Sequence, residues 1–134
     1  MKYVLDASVA IAALRRSEPS HLDALLRCTP LFAGQDEIVV PAIFDIEVFS
    51  GLVRRGAAPT VVANLFALHF TTRRAVTIGP RAAAGARSVV AKAHLRAADA
   101  LYVWLAAREG LDLVTLDNEV LTRASAVGVN AVPP

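Results

Sequence analysis

Residues 96–118, RAADALYVWLAAREGLDLVTLDN, decide how the chain folds. Leu101, Tyr102, Trp104 and Leu105 recur at helical spacing, and the alanines between them favour helix. Gly110 follows directly, where a left-handed cap is expected. Leu111, Leu113, Val114 and Leu116 then form an apolar run of strand length. A strand apolar on both faces belongs in a parallel sheet covered by helices. The run stops at Asp117, and a second carboxylate, Asp99, stands at the front of the helix. An acid that closes a buried strand contributes nothing to packing. It fits a ligand-binding group at the carboxyl edge of a parallel sheet, where such folds bind.

The start of the chain repeats the pattern. Residues 2–5, KYVL, are β-rich and run into Asp6, followed by Ala7 and Ser8. Ser8 is placed to cap a helix over residues 9–16. Asp6 alone would pass as a turn or cap residue; two strands ending alike carry more weight. Ser20 opens a second helix to about residue 28, with Asp23 as a capping-box acid. Residues 37–40 read as a strand. Pro41 opens a third helix, PAIFDIEVFSGLVRR, that stops at Gly56. Its apolar residues Ile43, Ile46, Phe49 and Val53 leave little solvent face near Glu47. Of its two acids, Asp45 is expected to face water and Glu47 to need a partner or a cation.

Further helices are expected over 60–70, 81–93 and 119–126, with strands at 76–78 and 127–132. Gly79-Pro80 turns the chain between them. His94 has no second His or Cys at ligand spacing and reads as a structural or phosphate-contacting residue. The order β-α-α-β-α-α-β-α-α-β-α-β predicts an α/β fold in three layers, with a central parallel sheet of about five strands. The whole of residues 1–134 reads as one domain.

A chain of 134 residues, 55% hydrophobic, has enough apolar material for a core and too much for disorder. The single cysteine, Cys28, forms no intrachain disulfide and no Cys-based zinc site, which suits a reducing cytoplasm. Residues 1–14 do not read as a signal peptide, because Asp6 breaks the apolar stretch and Arg15-Arg16 follow it. No window reads as a membrane span. The net charge is +2, yet setting four acids aside in one pocket leaves 14 bases against 8 acids elsewhere. That balance suits a polyanion, and equally suits a genome that favours arginine.

Asp6 and Asp117 close two strands at one sheet edge, and Glu47 and Asp99 lie on helices able to overhang it. Four gathered carboxylates repel one another unless a cation sits among them. Their oxygens suit Mg²⁺ or Mn²⁺. Such an ion can orient a phosphodiester, activate a water and stabilise the leaving oxygen.

VLDASV, PAIFDIEV, AADALYVWLAAREG and LVTLDNEV, in that order and spanning most of the chain, resemble the PIN-domain ribonucleases. The resemblance is strongest to VapC-like toxins of type II toxin–antitoxin pairs. It implies that Asp6, Glu47, Asp99 and Asp117 form a catalytic metal site for Mg²⁺ or Mn²⁺, with Asp117 the least secure ligand. Ser8, Thr115 and Asn118 would support it. The resemblance further implies cleavage of structured RNA such as tRNA or rRNA, a homodimer, and neutralisation by a cognate antitoxin protein. Three arginine pairs, Arg15-Arg16, Arg54-Arg55 and Arg73-Arg74, are candidates for RNA phosphates, or for ordinary charges at helix ends.

Two alternatives compete. A haloacid-dehalogenase-like phosphatase also begins with an Asp after a strand, but needs a second acid two residues on, where Ser8 stands. A non-catalytic binding module would have no need to tolerate four repelling acids.

Overall fold

The computed structural model describes residues 1–134. Five strands make one parallel sheet: β1 (Lys2–Leu5), β2 (Glu37–Pro41), β3 (Arg73–Val76), β4 (Leu113–Val114) and β5 (Ala131–Val132). Their spatial order is β3-β2-β1-β4-β5. The helices are α1 (Ala7–Leu14), α2 (His21–Phe32), α3 (Ile43–Val53), α4 (Pro59–His69), α5 (Pro80–Ala93), α6 (Ala97–Glu109) and α7 (Asn118–Arg123). A single 3-10 turn, Ala124–Val127, follows α7.

The strand order places the helices. From β1 the chain moves stepwise to β2 and β3 at one edge, then crosses to β4 and steps to β5 at the other. Right-handed crossovers put connections running in opposite directions on opposite faces of a sheet. So α1–α4 form one layer and α5–α7 the other, giving three layers, α/β/α. The direction reverses between β1 and β4, which pair through Val4 with Leu113 and Leu5 with Val114. Beyond their carboxyl ends lies the crevice where doubly wound sheets bind ligands.

β1 is the middle of the sheet, and Tyr3, Val4 and Leu5 are fully buried in it. Burial on both faces explains why it reads as a continuous apolar run. Phe44, Phe66 and Phe70 fill the α1–α4 side, with ring centroids 5.1–6.3 Å apart. Gly110 takes the left-handed conformation expected of it, at φ 65°.

Several local expectations give way. Pro41 ends β2 rather than opening α3. Helix α1 begins at Ala7, so Ser8 lies in its first turn and Asp6 holds the N-cap position. Helix α2 runs on to Phe32, and no side chain caps it, so the Ser20/Asp23 box does not form. The third strand is Arg73–Val76, earlier than 76–78. The last two strands are two residues long. On α3 the core takes Phe44, Val48 and Leu52, leaving Ile46 69% exposed and Phe49 39%. Apolar residues surround this helix, so spacing alone could not choose the inward face.

Helices α5 and α6 meet at Gly85, where an added Cβ would overlap the Trp104 indole. Alanine inside a helix gains about 1 kcal/mol over glycine, whereas overpacking costs about 1–3 kcal/mol. Gly85→Ala should therefore lower the melting temperature, and the same change in a Trp104→Ala background should raise it. Equal shifts in both backgrounds would mean that the close approach does not matter.

Candidate active site

Asp6 follows the last residue of β1 directly and Asp117 lies three residues past the end of β4, so the paired strands deliver both to one edge. Asp6 donates its backbone N–H to the Val114 carbonyl at 3.0 Å, which ties it to β4. Glu47 reaches the same edge from the second turn of α3, and Asp99 from the first turn of α6. All four line one open cleft of about 910 Å³, together with Ser8, Glu18, Ile46, Arg54, Arg55 and Arg96.

Asp6 is only 8% exposed. Its Oδ2 accepts hydrogen bonds from the Ser8 hydroxyl and the Thr115 hydroxyl, each at 2.7 Å. Those hydroxyls are themselves positioned by backbone. The Leu116 N–H donates to Ser8 Oγ at 3.3 Å, and the Asp117 N–H donates to Thr115 Oγ1 at 3.1 Å. No side-chain cap hydrogen bond runs from Asp6 to α1. Capping therefore accounts for little of Asp6, on which the Ser8 backbone N–H acts less than the two hydroxyls do. It does account in part for Asp117, whose Oδ1 accepts from the Val120 N–H at 3.1 Å.

Glu47 Oε1 accepts a 2.7 Å hydrogen bond from the Tyr102 hydroxyl. Tyr102 lies three residues after Asp99 and so shares its face of α6. Arg96, three residues before Asp99, donates from Nε to Asp99 Oδ2 at 3.3 Å and from Nη2 to Asp117 Oδ2 at 3.0 Å. Neither Arg96 nor Tyr102 stands out as a site residue in the sequence. Their signal is the i, i+3 spacing from Asp99. Asn118, by contrast, is exposed and contributes its backbone carbonyl to Thr122.

Burial raises the pKa of Asp6 above the ordinary carboxylate value; the two hydroxyl bonds and the Ser8 backbone N–H oppose this, and the Asp117 charge adds to it. Glu47 is raised by burial, then by the Asp6 and Asp99 charges, against the Tyr102 bond. Asp99 is raised by burial and by Asp117 and Asp6, with Arg96 opposing. The carboxylates thus feel one another across the cleft. Tyr102 is held protonated, raised by burial and by the Glu47 charge.

A hard divalent cation fits this chemistry: oxygen donors only, partly desolvated, with negative charge in excess. As the side chains stand, no three acids close into a coordination group, so a cation would have to draw them together.

The arginine pairs divide. Arg54 and Arg55 line the cleft, and Glu18 holds both Arg15 at 2.8 Å and Arg55 at 3.6 Å beside it. Arg16 is exposed just past α1. Arg73 is paired with Asp45 at 2.9 Å and Arg74 with Glu109 at 2.8 Å. Glu109 lies ten residues beyond Asp99 on α6, about 15 Å away. Asp45, expected to face water, is thus an ion-pair partner. His94 takes a left-handed conformation at φ 54° to end α5, and its carbonyl accepts from Arg123. It has a structural place.

Acids with raised folded pKa values bind protons more tightly when folded. Their contribution to stability is complete below about pH 4 and is lost as pH rises through the folded values. In EDTA the protein should therefore melt higher near pH ~5 than near pH ~8. Asp6→Asn should flatten that slope and raise stability by ~0.5–2 kcal/mol, a few degrees of melting temperature. A variant that melts lower than wild type in EDTA would make Asp6 a structural carboxylate.

The PIN domain family model matches residues 3–126. None of the curated proteins matches this sequence. Among solved structures, VapC20 of Mycobacterium tuberculosis, described as a sarcin-ricin loop cleaving toxin, superposes with a TM-score of 0.73 at 18% identity over 100% of both chains. VapBC2 from Rickettsia felis, bound to a DNA fragment from its promoter, gives 0.69 at 15% identity, covering 100% of this chain and 99% of that one. FitAcB from Neisseria gonorrhoeae gives 0.70 at 19%, covering 98% and 96%. Identities this low bear on the fold, and the family match agrees with it. The chain belongs to the PIN-domain family.

Proposed function

We infer that this chain is a Mg²⁺- or Mn²⁺-dependent endoribonuclease, the VapC-like toxin of a toxin–antitoxin pair. One observation carries the reading: Asp6, almost buried at the switch point, has hydroxyl donors but no basic partner and faces other acids. Packing and capping leave that arrangement unexplained.

Asp6, Glu47 and Asp99 would hold the cation, with Asp117 at the edge of the set. When bound, the ion would neutralise charge on a phosphodiester and acidify a water. Ser8 and Thr115 fix the Asp6 carboxylate through one oxygen. Tyr102 turns Glu47 toward the cleft. Arg54 and Arg55 give the same cleft a basic wall for backbone phosphates. Structured RNA, tRNA or rRNA, is the proposed substrate, in keeping with the activity ascribed to the structurally similar VapC20. No helix is long and apolar enough to cross a membrane.

Partners follow from exposed apolar surface. Ile46 and Phe49 flank Glu47 on α3 and would seat an apolar stripe of an antitoxin segment, whose basic side chain could reach the acids. Ile78, Val90 and Leu101, with the alanines of α5, form a second patch that would pair two copies.

RNA cleavage with Mn²⁺, and with EDTA, tests the activity. Asp6→Asn, Glu47→Gln and Asp99→Asn should each lose about 10²-fold or more, the scale for a positioned charged group. Asp45→Asn should stay near wild type. Cleavage undiminished in EDTA would rule out this mechanism; no cleavage of any RNA with either ion would favour a binding module. Sedimentation at micromolar concentration should find a dimer that Val90→Glu converts to monomer. A wild-type monomer would count against the α5 patch.

A further inference from the structure

We propose that Arg96 is a displaceable counter-ion of the acidic cleft, holding Asp99 and Asp117 in the metal-free protein and competing with the divalent cation for them. The proposal rests on the metal-dependent reading above.

Arg96 spans the two carboxylates, with Nε 3.3 Å from Asp99 Oδ2 and Nη2 3.0 Å from Asp117 Oδ2. It is the base that bridges site acids. Arg55, on the same cleft, is taken up by Glu18 and the Gly51 carbonyl. Asp6 and Glu47 have hydroxyl partners instead. A cation that gathers the acids must therefore take Asp99 from Arg96, and Asp117 as well where that acid joins the set.

Helix stability does not explain this side chain. Arg96 occupies the N-cap position of α6 and makes no capping hydrogen bond. A positive charge there opposes the helix dipole, which favours anions at an N-terminus. The gain that sets against this comes from Asp99 and Asp117. Nor is the side chain locked in place: it is 75% exposed. Exposed ion pairs are weak and screened by salt, so the guanidinium can swing into water without breaking the core. The metal-free acids thus keep a partner that leaves easily. Competition is reciprocal: whatever Arg96 adds to the metal-free protein, it subtracts from cation affinity.

The test is direct titration of the full chain with MnCl₂, following free Mn²⁺ by electron paramagnetic resonance, without RNA. Wild type is compared with Arg96→Ala, and with Arg96→Gln as a second neutral variant. Arg54→Ala removes the same charge from the same cleft without touching an acid. The Arg96 variants should bind Mn²⁺ about fivefold tighter, the scale of two weak pairs made by an exposed guanidinium. Arg54→Ala should change binding by less than about twofold, since an unpaired exposed charge is screened. In EDTA the Arg96 variants should melt below wild type, with the difference closing as Mn²⁺ is added. Unchanged or weaker Mn²⁺ binding in both Arg96 variants, beside a wild type that binds, would overturn the proposal and spare the metal site. Equal tightening by Arg54→Ala would also overturn it, as a general field effect. Absence of Mn²⁺ binding in every protein would remove the metal-dependent reading, and this proposal with it.

Discussion

Everything at the cleft depends on the desolvated Asp6 carboxylate at the end of the central strand. A charge in that position is costly unless something compensates it. The protein answers with two hydroxyls, Ser8 from α1 and Thr115 from beyond β4. Hydroxyls orient a carboxylate and satisfy one oxygen, but bring no positive charge. The sheet order makes the cost unavoidable, because the reversal between β1 and β4 forces two strand-ending acids into one crevice. A fold selected for stability alone would place an apolar residue or a true cap there. The excess negative charge is thus a standing local cost, of the kind found where function and stability compete.

The side chains around Asp6 divide the work. Tyr102 positions Glu47 from a buried place on α6. Arg96 partners Asp99 and Asp117 from the solvent side. Asp117 has two duties, since it also caps α7, so its loss would weaken a helix as well as the site. That dual role separates it physically from Asp6, whose carboxylate is held mainly by the Ser8 and Thr115 hydroxyls.

The architecture was legible because burial and periodicity agreed. The apolar runs at 2–5 and 111–116 stop on acids, and Gly110 marks the end of α6. The full order of strands and helices could be read from these signals. What could not be read is local. α3 is apolar nearly all round, so the inward face of Phe44, Val48 and Leu52 is chosen by the neighbouring helices and sheet. Pro41 can open a helix or close a strand, and pairing with Val76 decides for the strand. Four acids could be named from position. Arg96 and Tyr102 could not, because an arginine at a helix end and a tyrosine in an apolar helix have common explanations. Only the contacts, across 21 and 55 residues of sequence, reveal their roles. The arginine pairs mislead in the opposite way. Adjacent in sequence, Arg73 and Arg74 are engaged by Asp45 and Glu109, away from the cleft.

The role proposed for these carboxylates is to hold a divalent cation. A crystal grown with MnCl₂ and measured at the manganese absorption edge tests it most directly. Cation binding there predicts an anomalous peak roughly 2.0–2.6 Å from oxygens of Asp6 and at least one of Glu47 and Asp99. The Ser8 and Thr115 hydroxyls should still hold Asp6 Oδ2. No peak in the cleft at saturating Mn²⁺, with the four acids unmoved, would contradict it.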